Sequence, residues 1–293
     1  MARGWDVPKR YINLSLYDGR SGGLESTKVL AQAGIEAKIS FSCQSTVYGM
    51  TPQANVNIVG LTRDAMGFLA SSYTFWTQNV IHNRIVIDAG YEGQHGIVYD
   101  GTIIEGIPNL ESADFNISLK CMSYQNAFNE NISSISKKDT DAKDIAGDIA
   151  SELGVQLVST PNGEYKLDEY NFQDTDPINQ MRYLSKVTGL DIYVENDRMY
   201  MKEKGKKANG LSMFSITPDM IISAPLPTNR GCRVQIRMNP NVVCGMPVSL
   251  QSQRFPMLNG EDYFIASYLH AGETKGKKWI TELELTRSNI YEG

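Results

Sequence analysis

The 293-residue sequence has few of the residues that build metal and disulfide sites. Its four cysteines, Cys43, Cys121, Cys232 and Cys244, are scattered along the chain. No C-x-x-C or C-x-x-H spacing occurs, which argues against a zinc site. Because a reducing compartment keeps thiols unpaired, we interpret all four cysteines as small apolar residues of the interior.

Long hydrophobic runs are also missing. No run approaches the roughly 20 apolar residues that cross a bilayer, and the N-terminal residues lack the apolar stretch of a signal peptide. The composition, 41% hydrophobic and 21% charged, is typical of a soluble protein. We therefore expect no membrane span, and we expect synthesis and folding in the cytoplasm.

Basic charge is scarce as well. The formal net charge is -5 and the pI is near 5.4. Proteins that hold nucleic acid through its phosphates need clustered Lys and Arg, so we expect no specific nucleic-acid binding. The basic run at residues 202–207 is interpreted as a solvated linker.

Catalytic signatures do not occur. The sequence contains no nucleophile elbow, zinc-protease motif, phosphate loop or dinucleotide fingerprint. Nothing in the sequence brings the three histidines, His82, His95 and His270, together, and we predict that His95 and His270 lie in surface loops or at strand ends. We predict no catalytic, cofactor-binding or metal residue, and no cofactor.

What the sequence does contain, from residue 11 to about residue 124, is the period of half-buried antiparallel strands. The alternation is clear in YINLSLY, IEAKISFSC and ANVNIVGL, and it resumes in NRIVIDAGY and DFNISLKCMSY. A helix that begins near Thr62 interrupts the strands and is suited to pack across an open barrel end. In GIVYDGTIIEG, the pair Asp100-Gly101 predicts a tight hairpin turn.

The period changes to three and four between about residues 126 and 203. DTDAKDIAGDIASELGV predicts an amphipathic helix with Asp139 or Thr140 as its N-cap and Gly154 as its C-cap. A second helix is predicted from Asp176-Pro177 to Gly189. A hairpin that turns at Asn196-Asp197 should follow it. Both helices need a partner surface, which indicates a small α+β domain.

Strand patterns return after the charged linker. The stretch RVQIRMNPNVVCGMPVSLQS, from Arg233 to Ser252, predicts two alternating strands joined at Asn239-Pro240-Asn241. We interpret this hairpin as one wall of a small, nearly closed sheet, because closure hides strand edges that would otherwise pair with other chains.

The predicted fold class is therefore α+β and mainly β. It comprises two small antiparallel β-barrel domains with an inserted two-helix α+β domain. The predicted boundaries are 1–125 for the first tube-like barrel, 126–204 for the inserted domain and 205–293 for the second tube-like barrel.

Three passages carry a family resemblance. VYDGTIIEGIPNLESADFNISLKCMSYQNAF, DPINQMRYLSKVTGLDIYVENDRMYMKE and the pair RVQIRMNPNVVCGMPVSLQS and EDYFIASYLHAGETKGKKWITELELTR follow one another in the order barrel, helical domain, barrel. This order resembles the central hub proteins of tailed-phage baseplates, which are related to the hub part of type VI secretion spikes. The chain is short for that family, so we expect a peripheral domain to be reduced or missing.

The resemblance implies a structural virion protein rather than an enzyme. It implies a homotrimer whose six barrels match a hexameric tail tube on one face and a trimeric spike on the other. The implied partners are the tail tube protein, the central spike protein and other baseplate or tape-measure proteins. The implied location is the tail baseplate, around the DNA channel, and the net charge suggests an acidic channel lining.

Two alternatives stay open at this point. A peptidoglycan-degrading enzyme could use Glu282 or Glu284, two residues apart on one strand face, together with His270. A carbohydrate-binding module could use Tyr73, Phe75 and Trp76, although burial of these rings suits them better.

Overall fold

The computed structural model describes residues 8–19, 29–49, 51–71, 83–109, 115–124, 135–172 and 176–288. Strands predominate in these residues and helices are few, which confirms the predicted mainly β character. The elements of the first part are β1 (Arg10–Tyr17), β2 (Val29–Gly34), β3 (Lys38–Thr46), β4 (Gln53–Val59), α1 (Arg63–Ser71), β5 (Arg84–Tyr91), β6 (Gln94–Asn109) and β7 (Asn116–Met122).

The middle and last parts contain the remaining elements. The middle part has β8 (Ile135–Asp141), α2 (Ala142–Glu152), β9 (Gln156–Ser159), β10 (Lys166–Phe172), α3 (Pro177–Thr188), β11 (Asp191–Glu195) and β12 (Arg198–Lys202). The last part has β13 (Phe214–Ile216), β14 (Leu226–Pro227), β15 (Gly231–Arg237), β16 (Pro247–Leu250), β17 (Tyr263–Glu273) and β18 (Trp279–Arg287), with a 3₁₀ turn at Pro256–Leu258.

The first hydrophobic core lies between β1 and β3 to β7. Alternate residues of these strands are buried, as the period of two predicts. Helix α1 places Met66 and Leu69 in this core. The Thr62 hydroxyl accepts a hydrogen bond of 3.2 Å from the Ala65 amide, so the predicted helix start is confirmed.

One continuous sheet joins the first part of the chain to the last. Its path runs β14-β15-β18-β17-β3-β4-β7-β6-β5-β1-β2, and β16 attaches to β17 and β13 to β16. Strand β3 pairs antiparallel with β17 from Thr46↔Ser267 to Ser40↔Glu273. Among the described strands, no pairing closes this path on itself. Two separately closed barrels are therefore not confirmed, because β3 and β17 pair with each other instead of closing their own halves.

The second hydrophobic core is formed mainly by β15, β16, β17 and β18. It also includes residues from the other parts of the chain. Val47 from the first part and Tyr193 and Tyr200 from the middle part belong to it. In return, Met238 and Trp279 belong to the first core, where the Trp279 indole donates a 2.8 Å hydrogen bond to the Gly90 carbonyl. The parts thus share buried side chains across residues 125 and 204, where the sequence predicts domain boundaries.

The predicted turn at Asp100-Gly101 is wrong. Both residues lie inside β6, which continues to Asn109 and pairs with both β5 and β7. The turn between β5 and β6 occurs earlier, at Glu92-Gly93, where Gly93 has a φ of +77°. Asp100 instead forms an ion pair with Arg84 on the neighbouring strand. An Asp-Gly pair is common in turns, but here it lies within a strand.

The hairpin predicted between Arg233 and Ser252 is also wrong. The strands exist, but β15 pairs with β18 along its whole length, whereas β16 pairs with β17 and β13. The residues around Pro240 therefore form a crossing connection rather than a hairpin turn. Pairing with distant strands buries Val234 and Ile236, and the local alternation could not identify which strand would be the partner.

The middle part confirms the predicted helices and hairpin. The Asp176 carboxylate caps α3, Pro177 occupies its first position, and Gly189 ends it in the left-handed conformation. Asn196 and Asp197 have φ values of 51° and 56° and connect β11 to β12. No helix in the described parts of the chain is long and apolar enough to cross a membrane.

Helix α2 begins later than predicted. Its N-cap is Asp141, whose carboxylate accepts a hydrogen bond from the Lys143 amide, rather than Asp139 or Thr140. The reason is that β8 continues through those two residues in its pairing with β10. Gly154, with a φ of +68°, follows the C-cap.

The basic run at 202–207 is only partly solvated. Lys204 and Lys207 are exposed, but Lys202 is 2% exposed. Its ammonium group lies 2.7 Å from the Asp191 carboxylate and over the Phe264 ring. Burial lowers the pKa of Lys202, while Asp191 opposes that shift. The linker interpretation is wrong for this residue, since an ion pair makes its burial possible.

All four cysteines are buried and unpaired, as predicted. Burial raises the pKa of the Cys43 and Cys244 thiols well above the ordinary value, and raises that of Cys232 to about 11. Each thiol is therefore protonated and shielded from reagents at neutral pH.

Thiol accessibility tests this packing. We expect an aromatic disulfide reagent at pH 8 to modify none of the four cysteines in the native protein within minutes, and all four after denaturation. Absorbance of the released thiolate measures the count. Rapid modification of even one native cysteine would contradict the burial that the structure assigns.

Candidate functional site

The continuous sheet has one face that no core covers. Alternate residues of β7, β4, β3, β17, β18 and β15 point away from the two cores. On β7, β4 and β3 most of these residues carry amides or hydroxyls. We call this surface the polar face. Its neutral members on β3, β4 and β7 are exposed or half-buried: Ser40, Ser42, Gln44, Thr46, Gln53, Asn55, Asn57, Asn116 and Ser118.

These side chains bond to one another across the strands. The Asn57 side-chain amide donates hydrogen bonds to the Ser118 hydroxyl at 3.0 Å and to the side-chain oxygen of Asn116 at 3.4 Å. Such cross-strand pairs fix the side chains of a pleated surface. The middle of the polar face is therefore mostly neutral and hydrogen-bonding, and its one central cation, Lys120, is in an ion pair with Glu105 of β6.

Charge on the polar face is balanced rather than acidic. Its basic side chains are Lys38, Lys120, Arg233 and Arg237, and its acidic side chains are Glu273, Glu282 and Glu284. The Glu282 carboxylate accepts a 2.8 Å hydrogen bond from Gln235 and lies 3.6 Å from the Arg233 guanidinium. The Glu284 carboxylate accepts a 3.1 Å hydrogen bond from Ser267.

A groove of about 630 Å³ opens on this face beside the β3–β17 pairing. Glu282 and Glu284 line one side of it, and the exposed Tyr48 and the helix residue Arg182 line another. The groove is open and its carboxylates are already hydrogen-bonded, so it is suited to contact a polar surface rather than to bind a small molecule tightly.

His270 does not join the two carboxylates that the enzyme hypothesis requires. It lies within β17, is 1% exposed, and points into the interior with its Nδ1 atom 2.8 Å from the Thr281 hydroxyl. Burial lowers its pKa to about 3, so the ring is neutral. The predicted surface position is wrong, and the sheet itself separates His270 from Glu282 and Glu284.

His95 is a surface residue, as predicted. Its Nδ1 atom lies 2.8 Å from the Asp88 carboxylate, and its ring stacks on Tyr11 with centroids 3.8 Å apart. His82 and the aromatic residues Tyr73, Phe75 and Trp76 lie outside the described residues. Within the described ranges, no cluster of three or more His, Cys, Asp or Glu side chains could hold a metal ion.

A buried carboxylate marks the joint between the middle part and the sheet. Glu195, at the end of β11, is fully buried. Its carboxylate accepts a 2.5 Å hydrogen bond from the Tyr268 hydroxyl on β17 and a 3.0 Å bond from the Cys244 amide. Beside it, the Tyr193 hydroxyl donates a 2.8 Å bond to the Cys244 carbonyl. We call these residues the joint cluster.

Desolvation governs the charge of Glu195. Burial raises its pKa to about 7, although the hydrogen bonds from Tyr268, Cys244 and Ser45 oppose the shift. The backbone at Gly245 is close to the same joint, since a side chain there would meet the Tyr193 hydroxyl and Ala208. The middle part is thus attached to the sheet by the buried rings of Tyr193 and Tyr200 together with polar groups arranged around one titrating carboxyl.

Comparison with known protein families identifies the family of this chain. The model of a family described as "Baseplate hub gp41" matches residues 23–284. The chain belongs to this baseplate hub family. The family is one of structural tail proteins, so the protein is a structural component of a virion tail and not an enzyme. A comparison with curated proteins gave no match.

Solved structures of tail proteins share the hub fold. A 43 kDa tail protein of prophage MuSo2 from Shewanella oneidensis has a TM-score of 0.59 at 12% identity, over 94% of this chain and 98% of that one. A tail protein from Neisseria meningitidis MC58 has a TM-score of 0.59 at 11% identity, over 97% and 98%. The Escherichia coli c3393 protein has a TM-score of 0.54 at 6% identity, over 86% and 74%.

That third protein is described as a type VI secretion component with structural similarity to the T4 tail proteins gp27 and gp5. The family match confirms the hub resemblance stated from the sequence. At these identities the solved structures establish the fold alone.

Sequence reasoning about the hub missed two features. The sequence contains the polar face as Ser, Asn and Gln at most alternate positions of three strands, but this pattern by itself indicates only the solvent side of a strand. Glu195 gave no signal, because a glutamate just before an Asn-Asp turn is typical of an exposed hairpin end.

The joint cluster predicts a pH-dependent stability. Because the folded pKa of Glu195 is about 7 and the ordinary value is 4.5, the native state binds the extra proton between these values. Its contribution to the free energy of unfolding is complete below pH 4.5 and falls by about 3 kcal/mol as the pH rises to about 7. We expect Glu195→Gln to remove this loss, so that the variant gains stability relative to wild type between pH 5 and pH 8.

Urea unfolding at several pH values measures the difference. Glu282→Gln, a change of the same chemistry on the polar face, is the matched control and should show no such trend. A difference between Glu195→Gln and wild type that stays constant from pH 5 to pH 8 would refute the assignment.

Proposed function

We propose that this hub is a homotrimer that adapts the hexameric tail tube to the trimeric central spike and surrounds the DNA channel. The continuous sheet carries the proposal: each copy holds two strand-rich cores side by side, joined by β3 and β17. Three copies bring six such cores, so a closed threefold ring can meet a sixfold ring on one face and a threefold spike on the other.

In this proposal the chain is organised as two tube-like β-barrel domains, residues 1–125 and 205–293, with the α+β domain 126–204 inserted between them. The open ends of the sheet path then meet neighbouring copies, since a free strand edge is a template for pairing. The other partners are the tail tube protein, the central spike protein and other baseplate or tape-measure proteins. Assembly takes place in the host cytoplasm.

The polar face is the surface that we assign to the DNA channel. Net charge alone predicts an acidic lining, but the polar face carries four basic and three acidic side chains. A neutral lining of amides and hydroxyls neither holds phosphates, as clustered lysines would, nor repels them strongly. DNA could then pass without lasting contacts.

The mass of the purified chain tests the trimer. One chain has a mass of 32.6 kDa, so native mass spectrometry should give a species of about 98 kDa. Light scattering at several concentrations provides an independent value. A monomer that persists at micromolar concentration would overturn the hub arrangement proposed here.

Added lysines test the channel lining. We expect the triple variant Gln44→Lys, Asn55→Lys and Ser118→Lys to form the same oligomer but to slow the release of DNA from complete particles, because the new cations bind phosphates. A dye that fluoresces on released DNA measures the rate. The control variant, Ser136→Lys, Ser151→Lys and Asn171→Lys, adds the same charge on the inserted domain and should leave the rate unchanged; equal slowing in both would exclude the polar face as the lining.

A further inference from the structure

One end of the sheet is basic although the chain as a whole is acidic. The strand ends and turns that meet there are the start of β1, the turns after β2 and β5, and the turn between β17 and β18. We call this region the basic end. Its charged residues are Lys9, Arg10, Glu36, Lys38, Glu92, Glu273, Lys275, Lys277 and Lys278, six cations and three anions in a chain of net charge -5.

Arg10 holds the β17–β18 turn in one conformation. Its guanidinium donates hydrogen bonds to the carbonyls of Glu273, Gly276 and Lys277 at 2.7 to 3.0 Å. It also lies over the Trp279 ring, 5.4 Å from the centroid. Because the half-buried Arg10 guanidinium binds three carbonyls of the same turn, it restricts the backbone of the turn to one path.

The turn is also tied to the strands beside it. The Thr274 hydroxyl donates a 2.5 Å bond to the Ala37 carbonyl and accepts a 2.9 Å bond from the Ile39 amide. The Lys275 ammonium group donates to the Ile35 carbonyl at 3.3 Å. Lys275, Lys277 and Lys278 are nevertheless exposed, so their charges are presented to solvent from a fixed backbone.

Such a surface is suited to a protein partner more than to nucleic acid. A phosphate backbone favours an uninterrupted positive surface, whereas Glu36, Glu92 and Glu273 lie among these lysines. A mixed pattern with an excess of one sign selects a partner whose charges have the complementary pattern. Because the turn is already held in one conformation, it would lose little conformational entropy when a partner docks.

We propose that the basic end is a docking surface for an acidic face of the protein that stacks against this end of the hub in the tail. The proposal rests on the hub function proposed above and adds the chemistry of one of its contacts. The lysines of the β17–β18 turn supply the attraction, and the three carboxylates set the register.

Charge reversal in the assembling particle tests the proposal. The gene is deleted from the particle that carries it and supplied in trans, either as wild type or as Lys275→Glu, Lys277→Glu and Lys278→Glu. The matched control, Lys138→Glu, Lys143→Glu and Lys166→Glu, makes the same charge change at exposed lysines of the inserted domain. Complete tails are counted by electron microscopy, and each purified variant is checked for its melting temperature and its native mass.

We expect the basic-end variant to keep the wild-type mass and nearly the wild-type melting temperature, because it loses only the exposed Lys275 contact while Arg10 and Thr274 still hold the turn. It should yield at least about ten-fold fewer complete tails, because like charges then face each other at the contact with the partner. The control should assemble normally. Suppressors that restore assembly should replace Asp or Glu by Lys in another tail protein. The proposal fails if the variant yields as many complete tails as wild type. It also fails if the purified variant no longer forms the wild-type oligomer, or if its tails are complete and only DNA release is defective.

A hub that is monomeric already in the wild type would instead refute the proposed function. The mass measurement on wild-type protein therefore separates that failure from a failure of the basic end to dock a partner.

Discussion

The antiparallel pairing of β3 with β17 is the interaction on which the rest of the molecule depends. It joins strands that are more than 200 residues apart in sequence, from Ser40↔Glu273 to Thr46↔Ser267. Without it, the two strand-rich cores would be separate sheets with separate edges. With it, the outward residues of both halves form one polar face, and the turn at the end of β17 comes to lie against the start of β1 through Arg10.

The same pairing explains why the inserted part is attached by polar groups. β17 presents Tyr268 toward the interior next to Ser45 of β3, and this is where the hairpin of the middle part inserts Glu195. Burial of a carboxylate is costly unless every oxygen has a donor, and here the donors come from β17 and from the connection after β15. The geometry of three segments must therefore be correct at once, which favours one relative position of the parts.

The sequence predicted those features that depend on neighbouring residues. The α3 caps at Asp176 and Gly189 and the Asn196-Asp197 turn follow from backbone preferences of single residues, and they are confirmed. The errors concern pairing at a distance: Asp100-Gly101 lies within a long strand, and the two strands around Pro240 pair with β18 and β17 rather than with each other. An alternating pattern specifies which face of a strand is buried but not which strand lies beside it.

The same limit applies to the candidate site. The polar face is a product of strand order, because Ser118, Asn57 and Ser40 become neighbours only when β7, β4 and β3 lie side by side. His270 and Glu282 show the converse. His270 is paired with Thr281 and Glu282 with Leu269, so the two side chains are one position out of register and point to opposite faces of the sheet. The features that distinguish this protein are therefore surfaces built by many strands rather than a few residues with special chemistry, which is consistent with a structural tail protein. Such surfaces can be assigned only after the order of the strands is known.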